Sequence, residues 1–320
     1  MSICLLKHIK NTVIMLVFLT TISCDKKPSD INNIVKIERF ENLFYNSDEQ
    51  GLSELKELYP YFFPNEFDDK VWNDRLKDSI QLEIYGEIKN KYKNVSLIER
   101  DLYYFFQKQK ILNKNFVEPK VITLNTDVDY RNRVILADTL LLLGLDNYLG
   151  PNHPFYEGIP IYIKEDLGTE NILPDIAEQF AYTLIPRHQF YTFLDKIIYH
   201  GKILAYKDFS LNKFNDRLKI GYSKNKMKWA KDNEYFVWTY FIENDILFNP
   251  SNNLNSRFIS DAPFSVFYLE IDQESSEMVG RYIGWQIVKS YLKNNDVTLA
   301  EMLRTEPIEI YNNSRYKPKR

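Results

Sequence analysis

The chain has 320 residues, of which 44% are hydrophobic and 15% aromatic, so it can bury a large core in one large domain or two small ones. This composition is not that of a disordered chain. The formal net charge is only −3 and gives no electrostatic reason to expect binding to nucleic acid.

The amino-terminal segment has the layout of a secretion signal. A basic start precedes an apolar centre at residues 13–19 and a short exit of smaller residues at 20–23. The apolar centre is shorter than the ~18 residues that a membrane-spanning helix needs. We therefore predict that residues 1–23 are a signal peptide; a buried amino-terminal helix is the alternative.

The signal ends in Ile22-Ser23-Cys24, which resembles a bacterial lipobox, although Thr21 stands where leucine is usual. In such a site the cysteine sulfur receives a diacylglycerol, and cleavage follows in front of the cysteine. Cleavage would remove Cys4 and leave Cys24 without a disulfide partner. We predict that Cys24 is the lipidated first residue of the mature chain and that residues 24–33 tether it to the bilayer.

Residues 34–320 are predicted to form a single, mostly helical domain. Apolar residues recur every four positions from Trp72 to Tyr92, which predicts one helix of about six turns. Ser96 and Glu99 have the spacing of a capping box that opens a second helix, which continues to Leu112.

The middle of the chain changes to strand patterns. Residues 119–124 and 133–136 are predicted strands, and a third short strand is expected within 139–143. Glycines and prolines between 144 and 160 then indicate a loop-rich connection.

Helical periodicity returns after this connection. One helix from Ile172 to Leu184 is expected to end before Pro186, and others are expected at 190–198 and 279–287. Ser223 is predicted to cap a long helix, and Thr298 with Glu301 forms a second capping-box pattern. The predicted fold class is therefore mainly α with a small β-sheet.

Patterns for the common catalytic sites are absent from the sequence. The four histidines form no HExxH pattern, and the chain has no CxxC, GxSxG or phosphate-loop motif. We therefore predict no metal and no cofactor. Gly280 and Gly284 have the GxxxG spacing that lets another backbone approach closely, and packing within the core is favoured over a dimer contact.

Seven further stretches carry a pattern of their own: GLDNYLGPNHPFYEGIPIYI (144–163), LPDIAEQFAY (173–182), LDKIIYHGKILAYKD (194–208), WTYFIENDILF (238–248), RFISDAPF (257–264), GRYIGWQIVKSYLKNN (280–295) and SRYKPK (314–319). Together with the lipobox, these stretches resemble the gliding-motility lipoprotein GldB family of Bacteroidetes. The resemblance covers nearly the whole mature chain. It implies a lipoprotein of the cell envelope that works beside the gliding machinery and its associated secretion system, with no demonstrated enzymatic activity.

A weaker similarity is to zincin-type metallopeptidases, in which one helix carries HExxH and the next carries a glutamate before a glycine. Ile176, Ala177 and Phe180 stand at the HExxH positions here, and His200 precedes the glycine. Hydrocarbon side chains cannot bind zinc as imidazole does. The similarity therefore implies a degenerate, zincin-like helical domain that has lost its metal.

Three hypotheses follow for the function. The leading one is a non-catalytic envelope component, anchored in the membrane by its lipid, that binds other gliding or secretion proteins. The second is a divergent hydrolase in which Glu178 and His200 meet in a cleft, and the third is a structural lipoprotein without a role in motility. Asp25 is followed by Lys26 and Lys27 and not by an acidic run, which favours the periplasmic face of the membrane.

The lipobox predicts that Cys24→Ala abolishes metabolic labelling by fatty acid and leaves the precursor uncleaved at this site, because the sulfur is the acceptor. Mass spectrometry of the purified protein measures both effects. Identical processing of the variant and the wild type would show that Cys24 is not the anchor.

Overall fold

A four-stranded sheet and fifteen α-helices make up the part of the chain that the computed structural model describes, residues 34–186 and 189–320. The predicted signal peptide, Cys24 and the tether lie outside these residues. The strands are β1 (Ile37–Arg39), β2 (Lys120–Leu124), β3 (Val134–Ala137) and β4 (Leu140–Gly144). The helices are α1 (Phe40–Tyr45), α2 (Glu49–Leu58), α3 (Asp69–Lys77), α4 (Ser79–Lys91), α5 (Ser96–Leu112), α6 (Ile161–Lys164), α7 (Ile172–Leu184), α8 (Phe193–Ser210), α9 (Asp216–Ile220), α10 (Lys224–Asp232), α11 (Glu234–Glu243), α12 (Asn253–Phe258), α13 (Val279–Asn294), α14 (Leu299–Arg304) and α15 (Pro307–Ser314).

The sheet has the strand order β1-β2-β4-β3, with β3 antiparallel to β4 and the other pairs parallel. Val121 on β2 lies opposite Ile37 on one side and Leu141 on the other. The three strands predicted from the sequence are confirmed. Strand β1 was not predicted, because its three residues include two charged ones and are too few to show an alternating pattern.

The single helix predicted between Trp72 and Tyr92 is wrong: it is two helices, α3 and α4. The break comes at Asp78, whose backbone is extended and whose side chain accepts a hydrogen bond from the Gln81 amide at 2.9 Å. Aspartate competes for local backbone donors in this way and so starts a new helix. The long helix predicted after Ser223 is likewise divided, at Asn233, into α10 and α11.

The two predicted capping boxes have opposite outcomes. Thr298 and Glu301 form the box, since each side chain accepts a hydrogen bond from the other residue's backbone amide. The box at Ser96 is wrong, because Glu99 there accepts a hydrogen bond from the Ile37 amide at 3.1 Å instead. Glu99 therefore holds strand β1 against the start of α5.

The backbones of α8 and α13 touch in the centre of the main core. A Cβ atom placed on Gly284 would lie 1.8 Å from the Ile197 carbonyl oxygen, and one placed on Gly201 would lie 2.3 Å from the Gly284 carbonyl oxygen. Only glycine permits this approach. The GxxxG pattern therefore packs within the core of this chain, as predicted.

The fold is mainly α with a small β-sheet, which confirms the predicted class. Val35–Arg320 forms one compact unit by its internal contacts. A second, smaller apolar cluster lies beside the main core and includes Phe40, Phe44 and Ile122. Within the described residues, no helix has the length and apolar character to span a bilayer.

We expect Gly284→Ala to lower the free energy of unfolding by about 3 kcal/mol or more, because the methyl group overlaps backbone that cannot rotate away. Gly86→Ala is the matched control: Gly86 lies within α4, and a Cβ there meets nothing within 4 Å. The control should raise stability by about 0.5–1 kcal/mol. Urea unfolding measures both, and equal effects would contradict the close approach of α8 and α13.

Candidate functional site

The candidate site is a charged cleft with a volume of about 640 Å³. Its walls come from β3, the helices α6 to α9, the start of α13 and the loops beside them. Five basic and five acidic side chains line it; the acidic ones are Asp166, Asp175, Glu178, Asp261 and Glu277. A cavity with this many charges requires that most of them be paired.

Helix α7 presents its polar face to the cleft. Asp175, Glu178, Gln179 and Tyr182 line the cavity at the three- and four-residue spacing of one helix face. On the opposite face Phe180 packs against Phe105, with ring centroids 5.1 Å apart. The polar side chains of α7 therefore lie on the face toward the cleft, and its apolar side chains lie in the core.

The positions that the zincin similarity singled out lie mainly in the core. Ile176 and Ala177 are fully buried, Phe180 is 5% exposed, and none of the three lines the cleft. His200 lies on α8 and is not among the cleft's lining residues either. The α7 residues that face the cavity, Asp175, Glu178 and Gln179 among them, are next to these positions in the sequence.

Glu178 has both carboxylate oxygens occupied. The Tyr182 hydroxyl donates a hydrogen bond to Oε1 at 2.6 Å, and the Lys207 ammonium donates one to Oε2 at 2.6 Å. Burial alone would raise the pKa of Glu178, but the charges of Lys207 and Arg281 outweigh it and hold the pKa well below its usual range. Glu178 is therefore an ionised, fully paired group and a weak base.

His200 is electrostatically coupled to the cleft. Burial lowers its pKa to about 3, and the positive charge of Arg281 acts in the same direction while Glu178 opposes it. The imidazole is therefore neutral near pH 7. The predicted pair, Glu178 and His200, is close enough to interact electrostatically, but no hydrogen bond joins the two side chains.

A second ion pair ties the sheet to α7. Arg133, at the start of β3, donates from Nε to Asp175 Oδ2 at 2.6 Å and from Nη2 to Oδ1 at 3.0 Å. Tyr148 also donates its hydroxyl to Asp175, at 2.8 Å. This two-point geometry is among the stronger hydrogen-bonded pairings and fixes the orientation of both groups.

Two further acidic groups line the cleft, and burial raises the pKa of both. Burial raises the pKa of Asp166 to about 8, and the negative charges of Asp175, Asp261 and Glu277 act in the same direction against Arg133. Burial also raises the pKa of Glu277 above its usual value. The Lys226 ammonium lies 3.5 Å from Glu277, whereas Asp166 forms no ion pair within the described residues.

The sequence analysis identified none of these carboxylates except Glu178. A usable signal was present: the four polar residues of α7 repeat at helical spacing within an otherwise apolar helix. Within the described ranges, no group of three or more histidine, cysteine, aspartate or glutamate residues is arranged to hold a metal ion. The cleft can hold a charged ligand against fixed, already oriented side chains.

Comparison with known protein families gives a match over most of the chain. The family described as "Gliding motility protein GldB" matches residues 23–318, so the match begins one residue before Cys24. No curated protein and no solved structure matches the chain. The chain therefore belongs to the GldB family, a family of gliding-motility lipoproteins of the cell envelope.

Proposed function

We propose that this protein is a lipid-anchored component of the gliding-motility machinery and its associated secretion system, and that it acts by binding other envelope proteins without catalysis. Family membership supports the link to motility. The lipobox at Cys24 supports the anchor, since two or more acyl chains hold a protein stably in a bilayer.

The observation that carries the non-catalytic role is the full pairing of the acids on α7. A general base needs a free oxygen within hydrogen-bond reach of its substrate and a pKa near the working pH. Glu178 has neither, because Lys207 and Tyr182 occupy both oxygens and its pKa is depressed. Asp175 is held in the same way by Arg133 and Tyr148.

The same pairing suits the cleft to binding. Lys207 is only 4% exposed, and besides its contact with Glu178 it donates to the Lys219 carbonyl at 3.0 Å. Side chains held in this way lose little conformational entropy when a ligand arrives, so the cavity is preorganised.

The proposed place of action is the periplasmic face of the membrane to which Cys24 attaches. This assignment rests on the lysines that follow Asp25. Residues 24–33 would act as a linker that lets the folded unit contact partners at some distance from the bilayer.

A hydrolase remains the second candidate, because a neutral histidine lies within electrostatic reach of Glu178. The two candidates differ in what they require of His200: the hydrolase depends on its nitrogens, whereas the binding protein does not.

The test is deletion of the gene in a gliding species, followed by complementation. We expect deletion to abolish gliding and reduce secretion, and we expect the wild type and His200→Gln to restore both equally. Failure of a folded His200→Gln variant would favour the hydrolase, with thermal melting as the check on folding. Normal gliding and secretion in the deletion strain would instead indicate a structural lipoprotein.

A further inference from the structure

Strand β3 forms one edge of the sheet. It pairs with β4 on one side and has no neighbouring strand on the other. The opposite edge strand, β1, is occupied at its start, because the Val35 and Ile37 amides donate hydrogen bonds to the Glu99 carbonyl and side chain. Within the described residues, no side chain or loop forms such hydrogen bonds with the backbone of β3.

The register with β4 shows which backbone groups of β3 point away from the sheet. The Gly144 amide donates to the Arg133 carbonyl at 2.9 Å, and the antiparallel register continues without interruption along β3. In an antiparallel pair, residues that exchange hydrogen bonds alternate with residues that do not. Ile135 therefore bonds to β4, whereas the N–H and C=O groups of Val134 and Leu136 point outward at the free edge.

This edge lacks the features that usually prevent strands from joining. Its sequence is Val134-Ile135-Leu136-Ala137, which contains no charge, no proline and no bulge. An apolar edge without such features is a site where another strand can add. The Ile135 side chain is 41% exposed, while Val134 and Leu136 pack against the main core on the other face. An added strand would therefore bury Ile135 and satisfy the outward backbone groups.

Exposed residues of opposite charge lie at the two ends of β3. Arg131 lies three residues before the strand, and Asp138 follows it directly. Neither side chain forms an ion pair within the described residues. Asp129 lies further from the strand and accepts a hydrogen bond from the Asn132 side chain at 2.8 Å. When two such strands run antiparallel, the basic beginning of one lies beside the acidic end of the other, so a second copy complements this edge in charge.

The pattern of outward groups is also self-complementary. If two copies pair antiparallel about a two-fold axis at Ile135, Val134 of one copy lies opposite Leu136 of the other. Each of these two pairs can exchange two hydrogen bonds. The two Ile135 side chains face each other between these pairs, on the exposed face of the sheet. This is the isologous contact of a symmetric dimer.

We propose that two copies of this protein associate through the free edges of their β3 strands, which joins two four-stranded sheets into one. The inference goes beyond the proposed function and does not depend on it. A contact of one short strand on each copy is small, in the class below ~1,200 Å² that transient complexes use. The dimer is therefore weak and reversible, and attachment of both copies to one membrane favours it by raising their effective concentration.

The test is disulfide trapping of the full chain in native membranes. Ile135→Cys places one thiol at the two-fold axis, where opposite residues have Cα atoms about 4.5 Å apart, within the range that a disulfide spans. Mild oxidation should therefore convert this variant into a disulfide-linked homodimer, which electrophoresis without reductant detects. The wild type gives the background from the native cysteines, Cys4 and Cys24.

Ala137→Cys is the matched control, because Ala137 is exposed and lies on the same strand and the same face as Ile135. In the proposed register, Ala137 of one copy lies opposite Arg133 of the other, four residues from its own counterpart. That separation is about 13 Å, which is too long for a disulfide. We expect about fivefold less homodimer, or lower still, from this control than from Ile135→Cys.

A second variant tests the charges at the ends of β3. Asp138 has a φ of +46°, which asparagine also tolerates, so Asp138→Asn removes the charge and keeps the turn. Added to Ile135→Cys, this substitution should lower the yield of homodimer about twofold, because both ends of the contact lose an opposite charge.

Four results would overturn the proposal. They are equal homodimer from Ile135→Cys and Ala137→Cys, no homodimer from a folded Ile135→Cys variant, a yield that Asp138→Asn leaves unchanged, and an Ile135→Cys adduct with a different protein only. Thermal melting checks that each variant folds, and we expect melting temperatures close to that of the wild type because the substituted side chains are exposed. The trapping yield is measured apart from gliding, so its outcome is independent of the test of the proposed function.

Discussion

The contact between the backbones of α8 and α13 is the constraint on which the rest of the structure depends. Gly201 and Gly284 bring the two helices closer than any side chain would allow. Lys207 lies on α8 and Arg281 on α13, so this contact sets the distance between the positive charges that act on Glu178. The positions of the positive charges in the cleft therefore depend on how closely these two helices pack in the core.

The charges of the cleft divide into two kinds with different consequences. Those on α7 are paired at short distance, which fixes their orientation and occupies their carboxylate oxygens. Asp166 forms no ion pair within the described residues, Glu277 has the Lys226 ammonium 3.5 Å away, and burial raises the pKa of both.

The sequence was sufficient for features that depend on local pattern. Strands β2 to β4, helix α7, the Thr298 capping box and the close packing at Gly284 follow from short-range periodicity and spacing. The break at Asp78 was missed because the apolar recurrence continues across it, and only the cap interrupts the helix. The cleft was missed for a different reason. Glu178 and Lys207 are 29 residues apart in the sequence, and Asp175 and Arg133 are 42 apart, so no local sequence pattern indicates that they pair.

The central claim is that the cleft binds a partner and does not hold a catalytic metal. The most direct measurement is the metal content of the full chain, purified without chelator and analysed by inductively coupled plasma mass spectrometry. The account predicts zinc far below one atom per chain, because the acids of α7 are occupied by Lys207 and Arg133 and the HExxH positions carry Ile176, Ala177 and Phe180. One zinc atom per chain, lost together with folding or activity on chelation, would contradict it.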